Sequence, residues 1–229
     1  MVYDLLCSWP TNCDYPQFRA MVRNERKRFN EVIVAFTAAN TGYDYSQFVR
    51  ESMFADHVIC INSITPPNYD WRNAAMQQAL VQSYNAPYVW FTEQDFIPKP
   101  GFFEFIDYHD NAPAIGVYQG DRLHPCSLFL SREALAKTKR DFSANPPHYD
   151  HFGRVQLDLE HAGIDVLRIP PSLYYHYNGL SHNWRLACDG VPITYQPTEF
   201  YQWCADALKA DVPLHPEFVN MVQNIGDSV

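Results

Sequence analysis

Apolar and polar runs alternate regularly along the first part of the chain. Four apolar or β-branched runs predict strands: "VYDLLCSW", "EVIVAFTA", "DHVICINS" and "PYVWF". Between them, three segments with apolar positions near helical spacing predict helices: "YPQFRAMVRNERKRF", "DYSQFVRESM" and "NYDWRNAAMQQALVQSY". Strands joined in turn by helices are typical of βαβ units. The pattern therefore predicts an α/β fold, Rossmann-like, with a mostly parallel sheet and helices on both faces.

The second part of the chain is less regular. "PGFFEFIDYHD" and "VQLDLEHAG" predict helices, and Gly163 closes the second of them. Strands are predicted for "PAIGVYQG", for the start of "PCSLFLSREALAKT", for "IDVLRIP" and for the aromatic run in "SLYYHYNGLSHNW", and a last helix for "EFYQWCADALKA". No internal repeat or Ser/Gly-rich linker divides the chain. We therefore expect one domain over residues 1–229.

The composition and charge of the chain indicate which kinds of binding partner and which cellular location to expect. The 229 residues are 47% hydrophobic and 15% aromatic, which is enough for a full core, and the formal net charge of −9 gives no overall attraction to nucleic acid or anionic lipid. Six cysteines show no CxxC pair, which is typical of reduced thiols. The segment "MVYDLLCSWP" lacks the basic residues and the long apolar stretch of a signal peptide, so none is expected, and no apolar run of about 20 residues occurs in the sequence. These features predict a soluble, cytoplasmic protein without a membrane span.

Two carboxylates follow the strand in "PYVWFTEQDF". Glu93 and Asp95 share one face of an extended segment, and the ligand crevice of a parallel sheet lies at the carboxyl ends of its strands. Mg²⁺ and Mn²⁺ take carboxylates together with water and substrate phosphates. The alternative is a pair of solvated loop residues. Neither GxGxxG nor GxxxxGK[ST] occurs in the chain, which argues against dinucleotide and P-loop sites.

The segment "RNAAMQQALVQSYNAPYVWFTEQDFIPKPGFFE" resembles the central part of GT-A glycosyltransferases, in particular the family-2-like group. Arg72 and Asn73 match the start of the helix in that motif, and Glu93-Gln94-Asp95 matches its D-x-D with Glu in the first place. A Pro/Gly turn at 100–101 completes the match. The resemblance covers residues 3–185 and implies a nucleotide-sugar-binding half over 1–95. Residues 96–229 would then form an acceptor-side half and a C-terminal tail.

The resemblance implies a hexosyltransferase that uses a nucleoside diphosphate sugar, UDP-glucose above all, with Mn²⁺ or Mg²⁺. Asp95 would be the main metal ligand, with Glu93 near the ribose or the metal. A cation stabilises the charge that develops on the leaving diphosphate. The donor contacts that the resemblance implies, or that belong to its motif, are Ser8, Pro10, Thr11, Asn62, Ser63, Arg72 and Asn73.

Further site residues follow from the same resemblance. A late histidine returns to the metal in several GT-A families, and His176 and His182 in "YYHYNGLSHNWR" occupy the matching place; the alternative is one interior and one surface histidine. An inverting transfer needs a carboxylate that takes the acceptor proton. Asp150 lies near the place where this group carries that acid, and Asp121 is the rival candidate.

The acceptor is left open. Two basic clusters, "RNERKRF" and "AKTKRDF", are either solvated helix faces or a phosphate-binding patch. Some small GT-A enzymes, the base J glucosyltransferases and their viral relatives, modify hydroxymethylated bases in DNA, so a DNA acceptor and a virus-encoded enzyme are considered beside glycan, lipid and protein acceptors. A nucleotidyltransferase is disfavoured because "LLCSWPTNCDY" has no glycine. A non-catalytic sugar-nucleotide or carbohydrate-binding protein of the same fold is the alternative from another class.

Overall fold

The computed structural model describes residues 1–10, 16–37, 54–61, 70–93, 96–143 and 152–176. Nine strands lie in these ranges: β1 Tyr3–Pro10, β2 Phe29–Thr37, β3 His57–Ile61, β4 Tyr88–Glu93, β5 Phe96–Pro98, β6 Ala114–Gln119, β7 Arg122–Ser131, β8 Leu167–Arg168 and β9 Tyr174–His176. Five α-helices accompany them: α1 Pro16–Asn24, α2 Asp70–Val81, α3 Phe102–Tyr108, α4 Arg132–Lys137 and α5 Gly153–His161. Within these ranges, no helix has both the length and the apolar character needed to cross a membrane.

Seven strands form one sheet in the order β3-β2-β1-β4-β7-β6-β8. The pairs β1–β2, β1–β4, β2–β3 and β6–β8 are parallel, whereas β7 runs antiparallel to both of its neighbours. β5 and β9 form a separate antiparallel ribbon. The predicted α/β fold with a mostly parallel sheet is therefore confirmed.

Each face of the sheet has its own apolar core, because alternate strand residues point to opposite sides. On one face, Trp90 is fully buried beside residues of α1 and α3, and its ring stacks on Phe129 with centroids 4.8 Å apart. On the other face, Phe91 packs with residues of α2, α4 and α5. Helices therefore cover both faces, as the sequence predicts.

A buried polar network fastens the amino end of β1. Asp4 is fully buried and accepts hydrogen bonds from Asn30 Nδ2 at 2.9 Å, Ser83 Oγ at 2.6 Å and Arg132 Nη2 at 2.7 Å. Arg132 also donates through Nε to the carbonyl oxygen of Ala86 at 2.9 Å. This network joins β1 to the residues that follow α2 and to the start of α4. It lies at the opposite end of β1 from the carboxyl edge of the sheet.

The structure corrects the ends of two predicted elements and adds a strand that was not predicted. The predicted helix around residues 44–53 lies outside the described residues. The first helix ends at Asn24, and a short 3₁₀ turn, Arg26–Arg28, leads into β2, so Phe29 is a strand residue paired with Tyr3. β5 was missed because three residues carry no periodic signal. The strand predicted in "IDVLRIP" is reduced to Leu167–Arg168, since only two of its residues pair with β6.

Candidate functional site

The carboxyl ends of β1 and β4 lie side by side in the middle of the sheet. From β1 the chain moves outward to β2 and β3, and then returns to β4 on the other side of β1. Connections that leave neighbouring parallel strands in opposite directions open a crevice at the carboxyl ends of those strands, the usual ligand position in open α/β sheets. Ser8 of β1 pairs in register with Glu93 of β4. Two segments predicted to contact a nucleotide sugar thus meet at this edge.

Glu93 is the last residue of β4 and its side chain is nearly enclosed. The strand is buried from Val89 onward, and Glu93 retains only 8% of its accessible surface. A carboxylate is costly to bury unless a cation or a hydrogen-bond donor compensates it. The position of Glu93, at the end of an apolar strand rather than in an open loop, therefore favours a binding role over simple solvation.

The β5–β9 ribbon brings His176 to this carboxylate. Phe96 pairs with His176 across the ribbon, and β5 begins three residues after Glu93, so the pairing returns β9 to the end of β4. His176 Nε2 lies 3.8 Å from Glu93 Oε2. Phe96 anchors the ribbon, because its ring stacks on Tyr174 at 5.1 Å and meets the buried Trp90 edge-on at 6.1 Å.

Two residues of β7, His124 and Cys126, complete the surroundings of His176, and neither was predicted from the sequence as a site residue. The ring of His124 lies 4.5 Å from that of His176, centroid to centroid. The ligand atoms of His124, Cys126 and His176 all lie within 4.8 Å of one another. The available signal was the spacing in "LHPCS", since two residues separated by one can face the same side of a strand. A search for CxxC pairs does not detect this spacing of His124 and Cys126.

Tyr174, on the same β5–β9 ribbon, has a hydroxyl whose pKa is changed by its surroundings. Burial raises the pKa of the Tyr174 hydroxyl, and negative charge on Cys126 would raise that pKa further. The phenol therefore stays neutral over the ordinary pH range. Its ring packs on that of Phe96, with centroids 5.1 Å apart, and contributes no negative charge to this region.

Other predicted residues lie elsewhere or have other contacts. Asp121 is fully exposed in the turn between β6 and β7, with Oδ1 3.6 Å from Arg168 Nη2. Asn73 lies in the first turn of α2, where its side-chain oxygen accepts the backbone N–H of Phe142 at 2.9 Å. This hydrogen bond fastens the segment after α4 to the start of α2. Pro10 ends β1, at the same edge as Glu93.

Several predicted residues fall outside what the structure describes. The backbone of Arg72 belongs to α2, but its side chain is not described. Outside the described ranges are Thr11, Asn62, Ser63, Asp95, Asp150 and His182. Of the four predicted metal ligands, Glu93 and His176 are therefore the two whose positions can be compared, and they lie together.

Comparison with known proteins gives a likeness of fold only. No family model matches the chain, and no curated protein matches it. Glucosyl-3-phosphoglycerate synthase from Mycobacterium tuberculosis, solved with Mn²⁺, uridine-diphosphate-glucose and glycerol 3-phosphate, is 13% identical, with a TM-score of 0.45 over 84% of this chain and 82% of that one. HddC from Yersinia pseudotuberculosis is 10% identical, with a TM-score of 0.42 over 82% and 99%.

A third similar structure is the inositol-1-phosphate CTP transferase from T. maritima. It is 7% identical, with a TM-score of 0.45 over 74% of this chain and 86% of that one. The similar structures thus include a glucosyl-3-phosphoglycerate synthase and a CTP transferase. Because identities and TM-scores are low, we take the functional proposal from the geometry of the site.

Proposed function

We propose that the protein is a metal-dependent glycosyltransferase that moves a hexose from a nucleoside diphosphate sugar, UDP-glucose foremost, to a hydroxyl acceptor. The observation that carries this proposal is the approach of His176 to Glu93, 3.8 Å apart at the carboxyl ends of β1 and β4. The sequence predicts these two residues separately, Glu93 from an E-x-D segment and His176 as a late histidine. They are more than 80 positions apart in the chain, yet they share one edge of the sheet.

The residues present fit a divalent cation. A carboxylate oxygen and an imidazole nitrogen both bind Mn²⁺, and Mg²⁺ accepts the carboxylate together with water and phosphate oxygens. Asp95, two residues beyond Glu93, is proposed as the main ligand, with Glu93 and His176 beside it. The cation would neutralise charge on the diphosphate leaving group.

The chain's own residues would have two further tasks. The carboxyl end of β1, with Ser8 and Pro10, would hold the nucleotide beside Glu93. A carboxylate would take the proton of the acceptor hydroxyl, with Asp150 as the first candidate and Asp121 as the second. Asp121 is fully exposed, so the acceptor would have to bind over the β6–β7 turn before Asp121 could act as a base.

The contacts of the first basic cluster offer no support for a DNA acceptor. Within the first basic cluster, Arg26 forms a two-bond ion pair with Asp56, with distances of 2.9 and 2.8 Å. Arg28 donates to Glu25 at 2.8 Å and to Asp107 at 2.6 Å. These guanidinium groups serve intramolecular ion pairs. We therefore favour a small hydroxyl acceptor or a glycan, with hydroxymethylated DNA as a control substrate.

The test is a panel of nucleotide sugars with Mn²⁺, scored for thermal stabilisation and for slow hydrolysis of the donor. A true donor at about a hundredfold excess over its Kd stabilises the fold by about 2.7 kcal/mol. Asp95→Ala should abolish transfer and the metal-dependent part of donor binding, with less loss for Glu93→Ala. Near wild-type turnover in Asp95→Ala would refute the assignment.

The same panel distinguishes the alternatives. A non-catalytic binder would show affinity without metal dependence and would release no nucleoside diphosphate. Acceptor identity follows from incubation with donor and either hydroxymethylated DNA or glycans, followed by mass spectrometry. A hexose on glycans alone excludes DNA.

A further inference from the structure

We propose that His124, Cys126 and His176 form a binding site for Zn²⁺ or a similar thiophilic transition metal. The proposal concerns metal binding by the free protein and stands independently of the glycosyltransferase assignment. It starts from the three ligand atoms of β7 and β9, which lie within 4.8 Å of one another. Two imidazole nitrogens and a thiolate are a donor set typical of zinc, and a poor one for Mg²⁺.

The separations suit capture by small side-chain movements. With Zn–N distances near 2.1 Å and Zn–S near 2.3 Å, ligand atoms in a tetrahedral site lie roughly 3.4–3.7 Å apart. The upper limit of 4.8 Å therefore leaves about 1 Å to close. The ring of His176 lies beside that of His124 on β7. Rotation of these two rings would bring their nitrogens closer to the Cys126 sulfur without a shift of the sheet.

Burial supports a metal rather than three unrelated side chains. Cys126 is fully buried and the side chain of His176 keeps 12% of its accessible surface. A buried thiol normally stays protonated, but a coordinated metal ion deprotonates it and holds the thiolate. A fourth ligand is at hand, because Glu93 Oε2 lies 3.8 Å from His176 Nε2.

His124 shows what metal binding would change locally. Its Nδ1 accepts the backbone N–H of Cys126 at 3.2 Å, so the neutral ring carries its proton on Nε2. Coordination through Nδ1 would replace this hydrogen bond directly. Coordination through Nε2 would move the proton to Nδ1 and break it. In both cases one long hydrogen bond is exchanged for a metal–nitrogen bond.

A zinc ion at this cluster would also affect the proposed donor site, because the two share His176 and Glu93. With Zn²⁺ bound to the thiolate, His176 and Glu93 could no longer bind Mn²⁺ or Mg²⁺ at the end of β4. The two kinds of metal would therefore compete for the shared residues: Mn²⁺ would bind the carboxylates together with His176, and Zn²⁺ would favour the two imidazoles and the thiolate.

The experiment uses the whole chain, stripped of metal and kept reduced, without nucleotide. Zn²⁺ is titrated in competition with a chromophoric chelator, and Co²⁺ is used as the spectroscopic probe for thiolate coordination. We expect one Zn²⁺ per chain and a thiolate-to-cobalt charge-transfer band. Cys126→Ser should remove the band and the zinc competition, while Cys7→Ser, which changes another fully buried thiol on β1, should retain both.

His124→Asn is the second variant, since Cys126→Ser could fail to fold. The His124→Asn variant should no longer compete with the chelator for Zn²⁺. The control is His57→Asn, which should still compete, because His57 lies outside the cluster with its Nε2 3.5 Å from Glu31 Oε2. The proposal is overturned if wild-type protein does not bind Zn²⁺, or if folded Cys126→Ser or His124→Asn binds it as well as wild type. Because no sugar nucleotide is present, failure here leaves the glycosyltransferase proposal intact, and failure of that proposal leaves this result intact.

Discussion

The buried network at Asp4 gives the most quantitative prediction about the fold. Asp4→Asn keeps the volume of the side chain but removes its charge. It also places an amide where three donors converge, from Asn30, Ser83 and Arg132. Arg132 would keep its hydrogen bonds to Ser83 Oγ at 2.6 Å and to the Ala86 carbonyl at 2.9 Å, but it would lose its carboxylate.

The magnitude follows from burial. Removing one partner of a fully buried ion pair costs about 3–5 kcal/mol. The side chain of Asp4 is fully buried, but that of Arg132 is 30% exposed, so water compensates part of the loss. We therefore expect Asp4→Asn to lower the free energy of unfolding by about 3 kcal/mol, the lower end of that range.

Urea unfolding followed by tryptophan fluorescence measures this value, with the m-value checked for constancy. Asp121→Asn is the matched control, because its ion pair with Arg168 has side chains 103% and 60% exposed and should contribute nothing measurable. Equal, small effects of Asp4→Asn and Asp121→Asn would show that the network does not stabilise the fold as we reason.

Three further predictions concern chemistry. Asp150→Asn should lower kcat about a hundredfold or more with donor binding unchanged, measured by steady-state kinetics; the same pattern in Asp121→Asn alone would assign the base to Asp121. Burial raises the pKa of Tyr3 well above its usual value, so the unfolded chain releases this proton first and stability falls as pH rises above about 10. Tyr3→Phe should flatten that decline in urea titrations at alkaline pH, and an unchanged slope would contradict it. Zn²⁺ should inhibit Mn²⁺-supported turnover of wild type and affect Cys126→Ser much less; equal inhibition of the two would exclude competition through the cluster.

The sequence predicted the parts of the molecule that depend on local patterns. The apolar run in β4 is unmistakable, and the break after it places Glu93 at a strand end. The segment "NYDWRNAAMQQALVQSY" was expected to form a helix with apolar positions at helical spacing, and in α2 Ala75 and Ala79, one turn apart, are both fully buried. Gly163 was expected past the end of α5, and it adopts φ 67° there, a conformation that glycine tolerates without strain.

The sequence could not supply contacts between distant segments. The pairing of Phe96 with His176 joins residues 80 positions apart, and no periodicity marks a three-residue strand. Phe29 fits the helical spacing of the segment before it, but pairing with Tyr3 draws it into β2. The approach of Cys126 to His176 depends on both the β4–β7 register and the β5–β9 ribbon, so the metal cluster becomes visible only in three dimensions.

The central claim is that the end of β4 and β9 form one metal-dependent centre for a nucleotide sugar. The decisive measurement is the gain in UDP-glucose affinity that Mn²⁺ produces, determined by calorimetry for wild type, Glu93→Gln, His176→Ala and the double variant. If both residues serve one centre, the double variant loses no more of this gain than the more damaging single variant does. Separate losses that simply add, or a gain unaffected by either substitution, would contradict the claim.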